Sequence, residues 1–454
     1  MKQKATILSG SVFKGLFWMT IPIMAMNVFQ SLFAILDMTV LGIMVDDNAV
    51  GAVGASGILI SLTTGLLIGT AAGSTVVVAK HISRQETREL DQAIGTSVLF
   101  SILSGVALMI LGFFSARPLL VWIHCPESLL QDAVVYFQIY FVAVPFILLY
   151  NFCASILRAN GDTKRPMLFL MIGGVVKIVL NVCITAIFDV TVEGVAIATI
   201  LSNVVASFLT LYALIKGDGT VRFKREYCKL YKNELKSILF IGVPAGIQAA
   251  LYSLANTVIS AAVNTFGAAA TKGIAIANQF DNVLYQVSVA PSLATVSYVS
   301  QNVGAGNVKR AKESVYKSVI ITVMFGATLG LLFAVFSGQL SSLMSPDPQV
   351  IAYSMQKMVM ISSTYFICGV NEVMCSAMRG IGKPIIPMVL TFLYMCVLRF
   401  VWVYAVFPAY PDLSFLYSVW PIGWILSIVT TLFFYLPSMK KIQESHLARP
   451  VNQA

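Results

Sequence analysis

Five ionisable side chains interrupt long apolar stretches of this sequence: Asp37, Lys177, Asp281, Glu372 and Arg399. A charged side chain at the centre of a bilayer costs roughly 2.5–3.5 kcal/mol on insertion scales. Such residues usually face the interior of a helix bundle or a water-filled cavity, where they mark the path of an ion or a substrate. We therefore expect these five residues to take part in binding an ion or a substrate, and not only in packing.

Asp37 lies deep in an uncharged run. The run from Leu16 to Leu36 carries no charge, and uncharged residues continue from Met38 to Val45. This depth favours a buried functional carboxylate. The alternative is that Asp37 lies at a helix end and reaches headgroup water.

The composition is that of an integral membrane protein. Hydrophobic residues make up 58% of the chain and charged residues only 11%, against about 25% charged in a soluble domain. The net charge of +10 does not predict a nucleic-acid partner, because the basic residues lie in short loops. The seven cysteines contain no C-x-x-C pair, the three histidines lie far apart, and no phosphate-binding Gly-x4-Gly-Lys loop occurs. We expect no cofactor, no metal site, no ATP-driven pump and no enzyme.

Twelve apolar runs are each long enough to cross a bilayer as a helix. Their approximate limits are 15–45, 50–79, 93–116, 133–157, 166–188, 194–215, 237–263, 273–300, 318–343, 350–378, 384–409 and 413–437. The loops on one side, counted together with both termini, hold 25 of the 30 basic residues. The positive-inside rule then predicts two cytoplasmic termini and a multi-pass protein of the cytoplasmic membrane. Lys357 lies near the outer end of the tenth span, where we expect it to snorkel to the surface.

The two halves of the sequence resemble each other at a shift of about 221 residues. Arg158, Gly161, Pro166 and Met167 follow the fourth span, and the same residue types recur at the same spacing at 379–388 after the tenth. Pro22 and Pro244 also match, as do Lys177 and Arg399. This predicts parallel repeats related by a pseudo-two-fold axis along the membrane normal. The longest polar connection runs from about Lys216 to Lys236, near the middle of the chain. We place the boundary there, giving an N-terminal six-helix lobe (1–220) and a C-terminal one (221–454).

Three motifs resemble a known family. The segment Ser300-Gln-Asn-Val-Gly-Ala-Gly-Asn-Val-Lys-Arg-Ala311 resembles the signature after the eighth span of multidrug and toxic compound extrusion (MATE) transporters. Leu157–Thr163 resembles that family's loop after the fourth span, and Asp37–Gly42 the end of its first. The resemblance implies two six-helix lobes around a V-shaped cavity. It also implies antiport, in which a proton or sodium ion enters as a drug-like, usually cationic, compound leaves.

The sequence most resembles the DinF-like bacterial branch of that family. This resemblance implies that Asp37 is the coupling carboxylate and that Gln30, two helical turns earlier, is its neighbour. Lys177 stands where the family tends to have Asn, and Asn181 where that branch tends to have Asp. A cation suits sodium ligation poorly, so the pattern favours protons. We hypothesise that Asp37 and Lys177 form a pair that protonation breaks. The alternative is that Lys177 snorkels or caps a carbonyl while Asp37 binds hydroxyl groups.

Candidate substrate-cavity residues come from both halves. Asn278, Asp281 and Tyr285 belong to a polar patch at the start of the eighth span, and Arg399 could neutralise Asp281 or Glu372. Pairing with Arg379 is the alternative for Glu372. The full candidate set is Asn151, Ser202, Tyr252, Asn256, Asn278, Asp281, Tyr285, Glu372 and Arg399.

Together, the residues and the family resemblance imply a monomeric rocker-switch antiporter for small cationic compounds, driven by protons rather than sodium ions. The alternative is a flippase for a lipid-linked or anionic intermediate, which a strongly basic cavity would favour.

Overall fold

The computed structural model describes residues 5–44, 47–123, 125–188, 192–217 and 219–447, although the side chain of Asp37 is among several in its helix that lie outside the description. The described part is helical, without a strand. Its helices are α1 (Ala5–Leu8), α2 (Val12–Met44), α3 (Asp47–Arg84), α4 (Thr87–Trp122), α5 (Glu127–Ala159), α6 (Lys164–Phe188), α7 (Val192–Ile215), α8 (Lys232–Asn264), α9 (Ala268–Gly304), α10 (Val308–Val335), α11 (Ser337–Ser342), α12 (Pro348–Gly380), α13 (Ile385–Thr391), α14 (Leu398–Val401), α15 (Leu413–Tyr417) and α16 (Val419–Leu447).

Eleven stretches of the described chain are long and apolar enough to cross a membrane. The one predicted span outside these eleven is the eighth, 273–300; it corresponds to α9, which has 37 residues and carries Asn278, Gln279, Asp281 and Asn282 in its first half. All twelve predicted spans coincide with helices, because a chain in lipid must satisfy its backbone hydrogen bonds internally. The predicted all-helical, multi-span fold class is confirmed.

The loops after α5 and α12 have the same local structure, as the repeat predicted. Gly161 and Gly382 adopt φ of +85° and +79°, which glycine accepts without a Cβ clash. The amide of Asp162 donates to the Leu157 carbonyl (3.0 Å), and that of Lys383 to the Met378 carbonyl (2.9 Å). Both are the capping bonds of a helix C-terminus that ends on a left-handed glycine.

The chain divides into two compact units. The first, here called the N-unit, comprises residues 25–246; the second, the C-unit, comprises residues 1–24 and 247–454. The division falls inside α2 and α8, two residues after Pro22 and Pro244. The lobe boundary at residues 220 and 221 stays a prediction about the two halves of the sequence.

In the N-unit, the first half of α8 lies against α3 with almost no side chain between the backbones. A Cβ atom on Gly73 would lie 2.1 Å from the Ile238 carbonyl oxygen, and one on Gly246 would lie 2.0 Å from the Leu66 carbonyl oxygen. Glycine at such positions lets two membrane helices approach closely and gain packing contacts.

The connection that precedes α8 is bound to α4. The buried Asp91 accepts a hydrogen bond from Lys224, and the Thr96 hydroxyl donates to the Lys229 carbonyl while accepting from the Tyr231 amide, each at 3.2 Å. This connection is therefore part of the folded N-unit rather than a free tether.

The C-unit binds the segment that precedes α2 in a comparable way. The guanidinium of Arg310 donates to the carbonyls of Ile7 (3.0 Å), Ser9 (2.8 Å) and Gly10 (2.8 Å). Asn302 donates to the Ile7 carbonyl as well, at 3.3 Å. Two polar residues of the 300–311 motif thus hold the N-terminal segment on the end of α9.

Candidate functional site

A cavity of about 560 Å³ lies inside the C-unit. Its lining comes from 249–263 of α8, 274–285 of α9, 357–368 of α12, residue 399 of α14 and 417–424 of α15 and α16. We call it the C-unit cavity. The polar half of α9 faces it, which explains why that helix is less apolar than its neighbours.

A buried ion pair forms one wall of the cavity. The ammonium nitrogen of Lys357 lies 2.9 Å from a carboxylate oxygen of Asp281 and also donates to the side-chain carbonyl of Asn278. Lys357 is 4% exposed, so the prediction that it snorkels to the surface is wrong. The reason is that α12 turns this residue toward α9, where a carboxylate and an amide satisfy it.

Arg399 forms another part of the lining and is 1% exposed. Its guanidinium donates to the side-chain carbonyl of Asn256 at 2.7 Å and contacts the Met395 sulfur at 3.8 Å. It makes no ion pair with Asp281 or Glu372 in the described part of the chain, so the suggested neutralisation by either is not found. The positive charge of Arg399 is held by an amide, which supplies no counter-charge.

The backbone around Arg399 is unusual. α14 is four residues long and lies between two π-helical segments, Phe392–Val397 and Trp402–Val406. π-helical turns are rare and occur often at functional sites, because the extra residue per turn rotates side chains to new directions. Here the two irregular segments flank the residue that brings a positive charge to the cavity.

Both cations approach the same aromatic ring. The guanidinium carbon of Arg399 lies 5.1 Å from the centroid of Trp420, and the Lys357 ammonium lies 5.9 Å from it. Cation–π attraction at such distances contributes about 0.5–2 kcal/mol. Tyr365 and Trp424 pack beside them with ring centroids 5.5 Å apart, so the lining is aromatic as well as polar.

Four buried polar atoms of the lining have no hydrogen-bond partner among the described residues: Asp281 Oδ1, Arg399 Nε, Tyr417 Oη and Trp424 Nε1. An unmatched buried polar atom costs about 1–3 kcal/mol. Three N–H or O–H donors and one carboxylate oxygen of residues that line the cavity thus have unused hydrogen-bonding capacity.

The structure places six of the nine candidate cavity residues in this lining: Tyr252, Asn256, Asn278, Asp281, Tyr285 and Arg399. Glu372 is not among them, since it faces Arg379 at 3.7 Å. Asn151 and Ser202 belong to the N-unit, where Asn151 donates to the Ile147 carbonyl at 2.8 Å and Ser202 to the Thr199 carbonyl at 2.9 Å.

The predicted ion-coupling residues lie in the N-unit. Gln30 is exposed on α2, Lys177 is half-buried on α6, and Asn181 is buried one turn further along α6. The side chain of Asp37 lies outside the described residues, so the pairing of Asp37 with Lys177 stays a prediction.

Sequence reasoning missed Lys357, Tyr365, Trp420 and Trp424 as cavity residues. Lys357 did carry a signal, because it lies nine residues into α12, more than two helical turns from the start. The aromatic residues carried none, since aromatic side chains are spread over the whole chain.

Known proteins and solved structures resemble this chain over most of its length. A protein of Bacillus subtilis (strain 168), called probable multidrug resistance protein YoeA, is 28% identical over 389 residues and covers 84% of each chain. An FAD transporter of Shewanella oneidensis is 25% identical over 336 residues, covering 72% of this chain and 74% of that protein. The outward-facing structure of a multidrug resistance MATE family transporter has a TM-score of 0.91 at 20% identity, over 98% of this chain and 99% of that one. That last likeness shows the fold alone.

The sequence model of the MatE family matches residues 22–183 and again 244–405. The two matches begin 222 residues apart, which is the internal repeat that the turns and prolines predicted. Together they cover well over half of the chain. The protein therefore belongs to the MatE family, the multidrug and toxic compound extrusion transporters.

Proposed function

We propose that this chain exports drug-like organic compounds in exchange for protons. The observation that carries this proposal is the C-unit cavity, whose volume of about 560 Å³ falls within the roughly 300–1,000 Å³ of small-molecule sites. Its aromatic walls and few polar groups are the usual lining of such sites. The family, and the name of the relative from Bacillus subtilis, support a drug-like substrate.

For the coupling ion we propose a proton that binds Asp37, with Gln30, Lys177 and Asn181 around it. The support is the depth of Asp37 in an uncharged run and its resemblance to the family's coupling carboxylate. A sodium ion would need several oxygen ligands and no neighbouring cation, which Lys177 disfavours. Protonation would break an Asp37–Lys177 pair and so give the two states of the carrier different affinities for substrate, as coupled transport requires.

For the cycle we propose alternating access by a rocker switch, in a monomer whose termini are cytoplasmic. The parallel repeats support this, because such repeats commonly move as two bodies around a substrate site. The distribution of basic residues among the loops supports the orientation in the cytoplasmic membrane.

Two classes of substrate, which differ in charge, are candidates. The resemblance implies cationic compounds. The C-unit cavity, however, holds two cations and one carboxylate, which favours anions, and the Shewanella relative is called a transporter of FAD, a phosphate-bearing compound. A flippase for a lipid-linked intermediate shares this charge preference, but the cavity volume fits a drug-sized molecule better.

The test is transport by the purified protein in proteoliposomes. Uptake of a cationic dye such as ethidium and of an anionic aromatic compound is measured under an imposed pH gradient and, separately, an imposed sodium gradient. The parent is compared with Asp37→Asn and with Asp347→Asn. The control changes a carboxylate that caps α12 at its N-terminus (2.9 Å to the Gln349 amide), where an amide oxygen can still cap.

Transport driven by the pH gradient, retained in Asp347→Asn and lost in Asp37→Asn, supports the proposal. Sodium-driven transport would contradict the assigned role of Lys177. Full proton-driven activity in Asp37→Asn would show that a different carboxylate couples transport to protons. Failure of every small compound under both gradients would leave the flippase as the better candidate.

A further inference from the structure

The charges buried in the C-unit do not balance around Arg399. Asp281 is paired with Lys357 at 2.9 Å, and Glu372 faces Arg379 at 3.7 Å. Each of the two intramembrane carboxylates of this unit thus has its own cation. Arg399 has no carboxylate within 4.0 Å among the described residues, although its side chain is buried and only 1% exposed.

An isolated buried charge is expensive, with an effective penalty of several kcal/mol per ion even after relaxation. The amide of Asn256 and the ring of Trp420 offset part of that cost for Arg399. Its Nε–H has no partner in the described part of the chain. A ligand with one negative charge would supply both the missing counter-charge and the missing acceptor.

We propose that the C-unit cavity binds aromatic organic anions, with the acidic group on Arg399 and the ring system among Trp420, Trp424 and Tyr365. Arginine is suited to this role because its planar fork matches a carboxylate and stays charged when buried. This inference rests on the proposed function, because it names the class of substrate that the exporter would carry.

The surroundings of Arg399 fit an aromatic acid better than an inorganic anion. Trp420 already lies 5.1 Å from the guanidinium carbon, so a flat ligand can stack near it while its carboxylate reaches the nitrogen atoms. The hydroxyl of Tyr417 and the indole N–H of Trp424 lack partners among the described residues and can donate to further oxygen atoms. Ring stacking and donated hydrogen bonds together select for a polar, flat acid.

The experiment measures binding rather than transport, by equilibrium dialysis of the purified full-length protein. Three probes share one ring system and differ in charge: 2-naphthoate, 2-naphthamide and 2-naphthylmethylammonium. We expect the parent to bind naphthoate most tightly. Arg399→Gln should lose roughly ten-fold or more of that affinity, as removal of one charge-assisted hydrogen bond implies, while naphthamide binding changes little.

A second variant covers the case in which Arg399→Gln does not fold. Asn256→Asp has nearly the same shape but places a carboxylate 2.7 Å from the guanidinium. This variant should lower the affinity for naphthoate about ten-fold and raise the affinity for the ammonium probe. The matched control is Lys383→Gln, which removes one positive charge from an exposed position of the same unit and should leave all three affinities unchanged.

The inference is overturned if the ammonium probe binds the parent most tightly, or if naphthoate shows no saturable binding below about 1 mM. It is also overturned if the folded variants at 399 and 256 bind naphthoate like the parent. Anion binding without gradient-driven transport would instead count against the proposed exporter. Proton-driven transport without naphthoate binding would count against this inference alone.

Discussion

Lys357 and Asp281 form an ion pair between α12 and α9, with 2.9 Å between the ammonium nitrogen and a carboxylate oxygen. Both side chains are buried, and the second carboxylate oxygen, Asp281 Oδ1, has no hydrogen-bond partner among the described residues. Removing one partner of a buried pair leaves an uncompensated charge, whereas neutralising both is often tolerated.

The pair therefore predicts strong non-additivity. Lys357→Met should lower stability by about 3–5 kcal/mol, and Lys357→Met combined with Asp281→Asn should recover most of that loss. The measurement is the thermal unfolding of purified variants in detergent, read as a double-mutant cycle. Lys272→Met, at an exposed position of α9, is the control. Additive losses in the double variant would show that the two side chains are not coupled.

The glycine contact between α3 and α8 predicts a steric effect. Gly73→Ala places a methyl group 2.1 Å from the Ile238 carbonyl oxygen, so the helices must separate, at a cost of about 1–3 kcal/mol. Gly65→Ala is the matched control, because no atom lies within 4 Å of its added Cβ and alanine favours the helix by about 1 kcal/mol. Thermal unfolding should move in opposite directions for the two variants. Equal melting temperatures would contradict the close packing.

The N-terminal segment should loosen when Arg310 is changed. Arg310→Gln removes the charged donors to Ile7, Ser9 and Gly10, each worth about 1.5–3 kcal/mol. Amide hydrogen exchange at residues 7–10, measured by mass spectrometry, should accelerate at least ten-fold. The exposed neighbour Lys309 supplies the control as Lys309→Gln. Unchanged exchange in Arg310→Gln would mean that the segment is held by other contacts.

The connection before α8 should become cleavable when Thr96 is changed. Thr96→Val keeps the shape but removes the hydroxyl that binds both Lys229 and Tyr231, which leaves two backbone groups unmatched. Limited trypsin digestion should cut at Arg222 or Arg225 several-fold faster than in the parent. Thr87→Val, exposed on the same helix, should digest like the parent. If both variants resist trypsin equally, the hydroxyl does not hold the connection.

Local features of this protein could be predicted from the sequence, and pairings between distant helices could not. The turns at Gly161 and Gly382 follow from residues within one helical turn, so their spacing was sufficient. The polar patch around Asp281 was visible because α9 is otherwise apolar. The pairing of Asp281 with Lys357 depends on which faces of α9 and α12 meet, and hydropathy does not encode that. The same limit applied to Arg399, whose partner is an amide from α8 rather than a predicted carboxylate.

The contact between Arg310 and Ile7 joins residues 303 positions apart in the chain, and this separation has a consequence for biosynthesis. At about 5–20 residues per second, roughly 15–60 s pass between the synthesis of the N-terminal segment and that of the residue that holds it. The segment around Ile7 is therefore made well before the side chain that holds it. Until Arg310 is made, the C-unit remains incomplete, and a chaperone or the insertion machinery has that interval in which to bind this segment.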